Sequence, residues 1–279
     1  MEELPTAYVF AFGLASLVVA AGGLWLLRRV GRRPRRPSQA DAYLLAGQVL
    51  GVALVAAAAT RESLEGESVK EDLRWLATLS VAGLAFLFVA GEVGVRLLLS
   101  SHLDDEVRRG NAAAGIAAGA TYASTGIVGS FALSGRALSD IGLSAAFFVL
   151  GIVTLHGLGA LFRSLTTYDD AEQIRGENCA AAVSYGGALL AFALIIARSL
   201  EGPFEGWPEA ARGFGEVLVA CVGLYPIRQL VIQSLLLGAP LRLRGGRIDD
   251  EIADERNVAI ASLEASAYVA CALNVHVLL

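Results

Sequence analysis

The stretch DDEIADERNVAIA spans residues 249–261, and two earlier stretches share its form: DDEVRRGNAAAG at 104–115 and DDAEQIRGENCAAA at 169–182. In each stretch a group of acids precedes an Asn, and small or apolar residues follow it. Asn111 and Asn178 are 67 residues apart, and Asn178 and Asn257 are 79 apart. Recurrence at such a period indicates a repeated structural unit.

Long apolar runs surround these motifs. The chain is 55% hydrophobic and 18% charged, with a mean hydropathy of +0.59, which is typical of an integral membrane protein. A run of about 20 residues is long enough to cross the hydrocarbon core as a helix, and a helix satisfies its own backbone there. We therefore predict an all-α membrane protein with eight transmembrane helices, over 7–27, 40–60, 74–99, 111–133, 141–162, 178–198, 212–237 and 257–279.

The motif stands at the start of every second predicted helix, which predicts four two-helix repeats. Their boundaries are 1–66, 67–138, 139–203 and 204–279, and the halves are 1–138 and 139–279. The first copy is degenerate, with Asp41-Ala42 in place of the acids and Asn. An even number of helices gives all repeats the same orientation, so their symmetry axis lies along the membrane normal, as in a ring or a pair of halves. We expect the Gly- and Ala-rich second helices to form the inner layer and to bring the motifs together near the axis.

Arginines favour one side of the membrane. They concentrate after the first predicted helix and recur in alternate loops, whereas the opposite loops are richer in acids. By the positive-inside rule the Arg-rich loops are cytoplasmic and both termini lie outside. The Arg-rich positions are Arg28, Arg29, Arg32, Arg33, Arg35, Arg36, Arg108, Arg109, Arg163, Arg175, Arg242, Arg244 and Arg247.

Several function classes are disfavoured. The net charge is −5 and the basic residues lie in short loops, which argues against a nucleic-acid partner. His102, His156 and His276 fall at different predicted depths and cannot share one metal. The sequence has neither a nucleophile elbow nor a phosphate loop. We expect no enzyme activity, no metal and no cofactor.

The acidic motif has three interpretations. Its acids and Asn could serve only to cap helix N-termini and complement the helix dipole. Alternatively, the copies could form an acidic cytoplasmic mouth that attracts cations, or a surface that docks a partner. The acids concerned are Asp104, Asp105, Glu106, Asp169, Asp170, Glu177, Asp249, Asp250 and Glu251.

Glu264 is the most unusual charged residue. It lies seven residues after Asn257, two helical turns deeper on the same face, and charges at such depth face a cavity or a partner. Arg228 stands at a similar predicted depth on the preceding, antiparallel helix. The two residues form either a buried ion pair that locks the last hairpin or a proton or ion site.

Two further polar positions lie within predicted spans. Glu92 and Arg96 are four residues apart, as in an ion pair along one helix. His156 sits in the middle of the fifth span, either as a hydrogen-bonded core residue or as a proton relay. We include Glu92 and His156 with Glu264, Arg228 and the three Asn residues as a candidate polar site.

The repeated acids-then-Asn-x-Ala-x-Ala pattern resembles the bacterial membrane family DUF350. Short members look like two units with four helices, so this chain resembles two short members fused. The resemblance implies a multi-pass protein of the bacterial inner membrane. It also implies a cytoplasmic stress-response or membrane-remodelling partner, since relatives have such neighbours, together with aminopropyltransferase-like enzymes.

Two functions follow as expectations. The first is conduction or transport of a small ion or solute, with a cation favoured by the repeats, the cytoplasmic acids and Glu264. The alternative is a membrane scaffold of an envelope-stress system that recruits a cytoplasmic partner and transports nothing. The lipid bilayer is a partner in both. A fused chain suits a monomer in principle, and a homo-oligomer stays open.

Overall fold

The computed structural model describes residues 6–30, 38–64, 68–99, 103–201 and 204–278, and within these ranges the chain forms helices and no strand. The long helices are α1 (Thr6–Val30), α2 (Gln39–Ser63), α3 (Val69–Leu99), α5 (Ala112–Ala132), α6 (Leu138–Leu165), α8 (Cys179–Arg198), α9 (Trp207–Ile227) and α11 (Val258–Leu278). Short helices lie between them: α4 (Leu103–Arg108), α7 (Asp170–Arg175) and α10 (Arg247–Ala253). A π-helical segment, Arg228–Leu236, continues α9.

A long helix covers each of the eight predicted spans. Six are long and apolar enough to cross a membrane by length and composition: α2, α3, α6, α8, α9 with its π-helical segment, and α11. In α1 the apolar stretch is shorter, Phe10–Leu26. In α5 the mean hydropathy is lowered by Gly, Ser and Thr residues, which are buried between neighbouring helices. The chain is thus a membrane-like helical protein, and crossing by α1 and α5 remains a prediction.

Four helices form the inner layer as a row, in the order α2, α5, α8 and α11. Each packs most extensively on its neighbours in that row, and α5 and α8 are the most thoroughly buried helices. The expected inner layer of small-residue helices is therefore present. Successive motifs are therefore neighbours along the row, and their convergence near one axis stays a prediction.

Close backbone approach explains the glycines in this layer. A Cβ added at Gly47 on α2 would lie 1.9 Å from the carbonyl oxygen of Gly119 on α5. A Cβ at Gly126 on α5 would lie 2.3 Å from the Cα of Gly51 on α2. Small residues let helix backbones approach each other within a membrane, where packing rather than burial from water drives association.

The remaining long helices form an outer layer. Helix α3 packs across α2 and α5, α6 packs across α5 and α8, and α9 packs on α8. Helix α1 packs mainly on α2. The outer helices carry many exposed apolar side chains, for example Val81 on α3, Val153 on α6 and Val219 on α9, as expected of surfaces that face lipid.

The chain makes the same kind of turn between each short helix and the motif Asn that follows it. The residue preceding the Asn has a positive φ in all three motifs: 85° at Gly110, 63° at Glu177 and 51° at Arg256. This left-handed residue ends the short helix and redirects the chain into the next long helix. The predicted boundaries at 66 and 203, and Arg32, Arg33, Arg35, Arg36 and His102, lie outside the described residues.

Candidate functional site

The most polar part of the interior lies where the π-helical segment begins. Pro226 stands inside α9, and a proline cannot donate the hydrogen bond that an α-helix needs at that position. The helix changes to π-helical geometry at Arg228, two residues later. Such π-helical turns are rare and frequently mark functional sites. Arg228 is only 2% exposed.

Two carboxylates hold the Arg228 guanidinium. Its Nε donates to Oε1 of Glu264 on α11, and its Nη2 donates to Oδ1 of Asp249 on α10 at 2.6 Å. Both carboxylates are 1% exposed. The depth argument therefore placed Glu264 beside Arg228 correctly, but it did not foresee Asp249 as a second partner.

Further hydrogen bonds fix both carboxylates. Oε2 of Glu264 accepts from Ser184 Oγ at 2.6 Å, and Oε1 accepts from the Tyr268 hydroxyl at 3.3 Å. Oδ2 of Asp249 accepts from the backbone N–H of Thr167 at 2.7 Å and from its Oγ1 at 3.0 Å. The cluster therefore joins α8, the π-helical segment, α10, α11 and the loop after α6.

A cavity of about 30 Å³ adjoins the cluster. This volume accommodates about one water molecule. Two polar atoms on its lining residues, Nη1 of Arg228 and the hydroxyl of Tyr168, have no hydrogen-bond partner within the protein. Other lining residues include Glu264 and Asp170, so the cavity borders the cluster on one side and α7 on the other.

Asp170 is the third buried carboxylate at this site. It begins α7, outside the long helices, and it is 4% exposed. Burial raises the pKa of Asp170 to about 7, although the nearby Arg163 opposes that rise. Its Oδ2 lies 3.7 Å from Nε of Arg163, which also contacts Asp169 at 3.3 Å. Burial therefore favours the protonated form of Asp170 relative to an exposed aspartate.

A second, larger cavity of about 930 Å³ lies at the opposite ends of the helices, where α5 and α8 end and α6 and α9 begin. Most charged side chains that line it are acidic: Glu62, Asp140, Glu201, Glu205, Glu209 and Glu216, against Arg61 and Arg198.

The DUF350 family model, described as a domain of unknown function, matches the chain twice, over residues 1–133 and 136–279. The chain belongs to the DUF350 family. The resemblance is confirmed, and the two matches together make this a double-length DUF350 protein. Comparison with curated proteins and with solved structures gave no match.

In this DUF350 protein the three motif Asn residues act as helix caps. The Oδ1 atoms accept backbone N–H bonds from the first turn of the following helix, at Ala114 for Asn111, at Ala180 and Ala181 for Asn178, and at Ala259 and Ile260 for Asn257. This geometry matches the capping interpretation. None of the three lines the small cavity beside Arg228.

The first two Asn residues also link successive motifs. Nδ2 of Asn111 donates to the Ile174 carbonyl on α7 at 2.9 Å, and Nδ2 of Asn178 donates to the Ile252 carbonyl on α10 at 2.8 Å. Each motif is thereby tied to the short helix of the next one along the row.

The motif acids divide into buried and exposed members. Asp170 and Asp249, each eight residues before its Asn, are buried at the cluster, and Glu106 is buried against Asn111 and Arg109. Asp105, Asp169, Glu177 and Asp250 are exposed and Glu251 is half-buried; the side chain of Asp104 lies outside the described residues. The motif acids are therefore of two kinds, some buried beside arginines and others exposed, and an acidic mouth formed by the exposed ones stays a prediction.

Glu92 and His156 lie apart from the cluster. Glu92 on α3 pairs with Arg96 at 3.0 Å on a partly exposed surface. His156 on α6 packs against Gly94 of α3, and its Nε2 is buried without a hydrogen-bond partner. Neither lines the small cavity.

The site residues that sequence reasoning missed are Ser184, Tyr168, Thr167 and Tyr268. They come from loops and helices far apart in the sequence, and their types are ordinary for a membrane helix. One signal was available: Pro226 interrupts a span two residues before its buried Arg. No group of three or more His, Cys, Asp or Glu side chains is placed to hold a metal ion among the described residues.

Proposed function

We propose that this DUF350 protein transfers a small cation across the bacterial inner membrane through the polar cluster of its C-terminal half. The observation that carries the proposal is an imbalance of buried charge. Glu264, Asp249 and Asp170 supply three buried carboxylates, Arg228 supplies one buried cation, and the partly exposed Arg163 supplies a second that also contacts Asp169. With all groups ionised, one negative charge is uncompensated, and a buried charge without a counter-ion is costly.

A proton is the cation that suits this site best. The cavity holds about one water, whereas a bound alkali or alkaline-earth ion needs several oxygen ligands around it. Protonation of Asp170 removes the surplus negative charge and needs no cavity larger than the one present. A water in the cavity could bond to Arg228 Nη1 and Tyr168 Oη, the two atoms without protein partners. Such waters often join proton donors and acceptors.

Orientation follows from the positive-inside rule. We place the short helices, with Asp170 and Asp249, at the cytoplasmic side, and the 930 Å³ acidic cavity at the outer side. An acidic mouth raises the local concentration of cations before they enter. Both termini then lie outside, and the proposal requires no catalytic activity and no cofactor.

A scaffold is the second candidate function. The short helices and their turns expose both acids and arginines, including Asp105, Glu177, Arg175 and Arg256, on the side that we place in the cytoplasm. A cytoplasmic stress-response or membrane-remodelling protein could bind there without any use of the buried cluster. In that case Glu264 and Asp170 would have only a structural role.

Proton flux in proteoliposomes separates the two functions. We expect the wild type to dissipate an imposed pH gradient, which is followed with an internal pH-sensitive dye. In Glu264→Gln and Asp170→Asn the rate of this dissipation should be at least tenfold lower. Glu92→Gln is the matched control, because it neutralises a carboxylate on a span outside the cluster, and it should behave as the wild type. Each variant must have the elution volume of the wild type and a cooperative thermal unfolding transition, which show that it is folded.

Two outcomes would contradict the proposal. A wild type that passes neither H⁺, Na⁺ nor K⁺ under an imposed potential would favour the scaffold. Flux that survives in both Glu264→Gln and Asp170→Asn would show that the path lies elsewhere in the molecule.

A further inference from the structure

The junctions between inner helices repeat one register. We number positions in each inner helix from its N-cap residue, which counts as zero. The N-cap is Ser38 for α2, Asn111 for α5, Asn178 for α8 and Asn257 for α11. At every junction the ninth residue of one helix packs against the eighth residue of the next, in the pairs Gly47 with Gly119, Ala120 with Gly186, and Gly187 with Ala265. Each inner helix in the middle of the row therefore uses two faces. The forward face contains its ninth residue and packs on the next inner helix, and the backward face contains its eighth residue and packs on the previous one.

The forward face of α11 has no inner helix against it. Its ninth residue is Ser266, which is exposed, and so are the second and thirteenth residues, Ala259 and Ala270. The same positions on α2 are Ala40, Gly47 and Gly51, which all contact the backbone of α5. The last helix thus presents, uncovered, the small residues that earlier helices use for packing.

The backward face of α2 is uncovered in the same way. On α5 the fourth, eighth and fifteenth residues, Gly115, Gly119 and Gly126, approach the backbone of α2. The corresponding residues on α2 are Ala42, Ala46 and Ala53, and all three are exposed. At these six matched positions both ends of the row carry alanine or serine, with exposed larger residues such as Leu50 and Leu273 beside them on the same helices.

Helix α1 gives a second, independent indication. In the middle of the row, each outer helix covers the groove between two inner helices, as α3 does for α2 and α5, and α6 does for α5 and α8. Helix α1 occupies the corresponding place beside α2 but has an inner helix on one side only. Like the other outer helices it also has exposed apolar side chains, for example Phe10 at 68% and Val18 at 72%.

We propose that copies of this protein associate head to tail, with the forward face of α11 in one copy packed on the backward face of α2 in the next. The new junction continues the register of the three internal ones and places Ser266 beside Ala46 of the neighbouring copy. An association between two different faces closes into a ring or extends as an open array. It also gives α1 a second inner helix to cover.

Disulfide trapping tests this register directly. In a background where Cys179 and Cys271 are changed to Ser and Cys221 to Ala, Ala46→Cys and Ser266→Cys are placed on two differently tagged chains. After co-expression and oxidation in the native membrane, we expect a cross-linked dimer that carries both tags. Each variant expressed alone should stay uncross-linked. Val89→Cys, at an exposed position on α3, replaces Ser266→Cys as the control and should give no dimer.

A dimer from Ser266→Cys alone would show two α11 helices meeting symmetrically and would overturn the proposal. Absence of any dimer in the mixed sample would also overturn it. Should the cysteine-free background fold poorly, the wild type and Ser266→Trp are compared by light scattering in detergent. We expect the wild type to be larger than a monomer and Ser266→Trp to be monomeric with an unchanged unfolding midpoint; a monomeric wild type would count against association. These readouts involve no flux, so their failure is distinct from failure of cation transfer.

Discussion

Nη2 of Arg228 lies 2.6 Å from Oδ1 of Asp249, so the π-helical segment after α9 is tied to the short helix that precedes α11. The same guanidinium contacts Glu264 through Nε. One arginine thus neutralises carboxylates from two successive elements, and its side chain joins the π-helical segment to both α10 and α11.

Arg228→Gln should destabilise the fold by about 3–5 kcal/mol, because it leaves two buried carboxylates without their cation. Arg228→Lys should be intermediate, since an ammonium lacks the fork of donors that reaches both acids. The measurement is the thermal unfolding midpoint in detergent, with Arg96→Gln, from the exposed pair on α3, as control. Equal midpoints for the Gln variant and the wild type would contradict the cluster.

Exchange of charges between Arg228 and Glu264 should fail to restore stability. The swap would place a glutamate at position 228 beside Asp249, where two anions repel each other. Addition of Asp249→Asn to the swapped protein should recover part of the loss. Unfolding midpoints of the single, double and triple variants test this, and full rescue by the double swap alone would show that Asp249 is not a true partner.

Asp170 predicts a specific pH dependence of stability. Its pKa is about 7 in the folded protein against 3.8 for the ordinary group, so the folded state retains a proton that the unfolded state has lost between these values. Stability from this group therefore falls as the pH rises from about 4 to 7 and is level above. Asp170→Asn should remove that slope, and the exposed Asp250→Asn should keep it. The unfolding midpoint from pH 4 to 8 provides the measurement.

Gly47→Ala should destabilise the α2–α5 junction by about 1–3 kcal/mol, since the new methyl group would collide with the Gly119 carbonyl. Gly22→Ala on α1 is the control, because no atom lies within 4 Å of the added carbon. Alanine there should be neutral or slightly stabilising through its helix propensity. Similar midpoints for both variants would refute the close approach of these helices.

Asn178→Ala should cost about 0.5–2 kcal/mol for the lost cap, and more for the lost bond to the Ile252 carbonyl. Asn178→Ser should retain the cap and lose the bonds that Nδ2 donates to the Ile252 carbonyl and to Gln173 Oε1. The loss of unfolding free energy in Asn178→Ser relative to the wild type measures the bonds of Nδ2, and the further loss in Asn178→Ala measures the cap. Asn274→Ala, which removes an exposed amide bonded within its own helix, should have little effect.

Local pattern was enough to predict the helices and the N-caps. Apolar runs of suitable length gave the positions of the eight long helices, and an Asn before an Ala-rich run gave the caps. Depth along two antiparallel helices also sufficed to bring Arg228 and Glu264 together, because the two positions depend only on the count of residues from one membrane face.

The third and fourth charges of the site could not be found in this way. Asp249 and Asp170 belong to acidic runs in which Asp250 and Asp169 look equivalent, and only the turn of a six- or seven-residue helix decides which acid faces inward. The row of inner helices was equally hidden, since parallel repeats are compatible with a closed ring or an open line. That choice depends on the angle between neighbours, which no residue pattern states.

The linear order of α2, α5, α8 and α11 has a thermodynamic consequence for local unfolding of this DUF350 protein. When each element contacts only its immediate neighbours, stability approximates a sum of nearest-neighbour energies along the line. Elements at the ends lose one interface when they detach, and those in the middle must lose two. Amide hydrogens in α2 and α11 should therefore exchange with solvent sooner than those in α5 and α8, and a neighbour bound at either end would slow that exchange from the end inward.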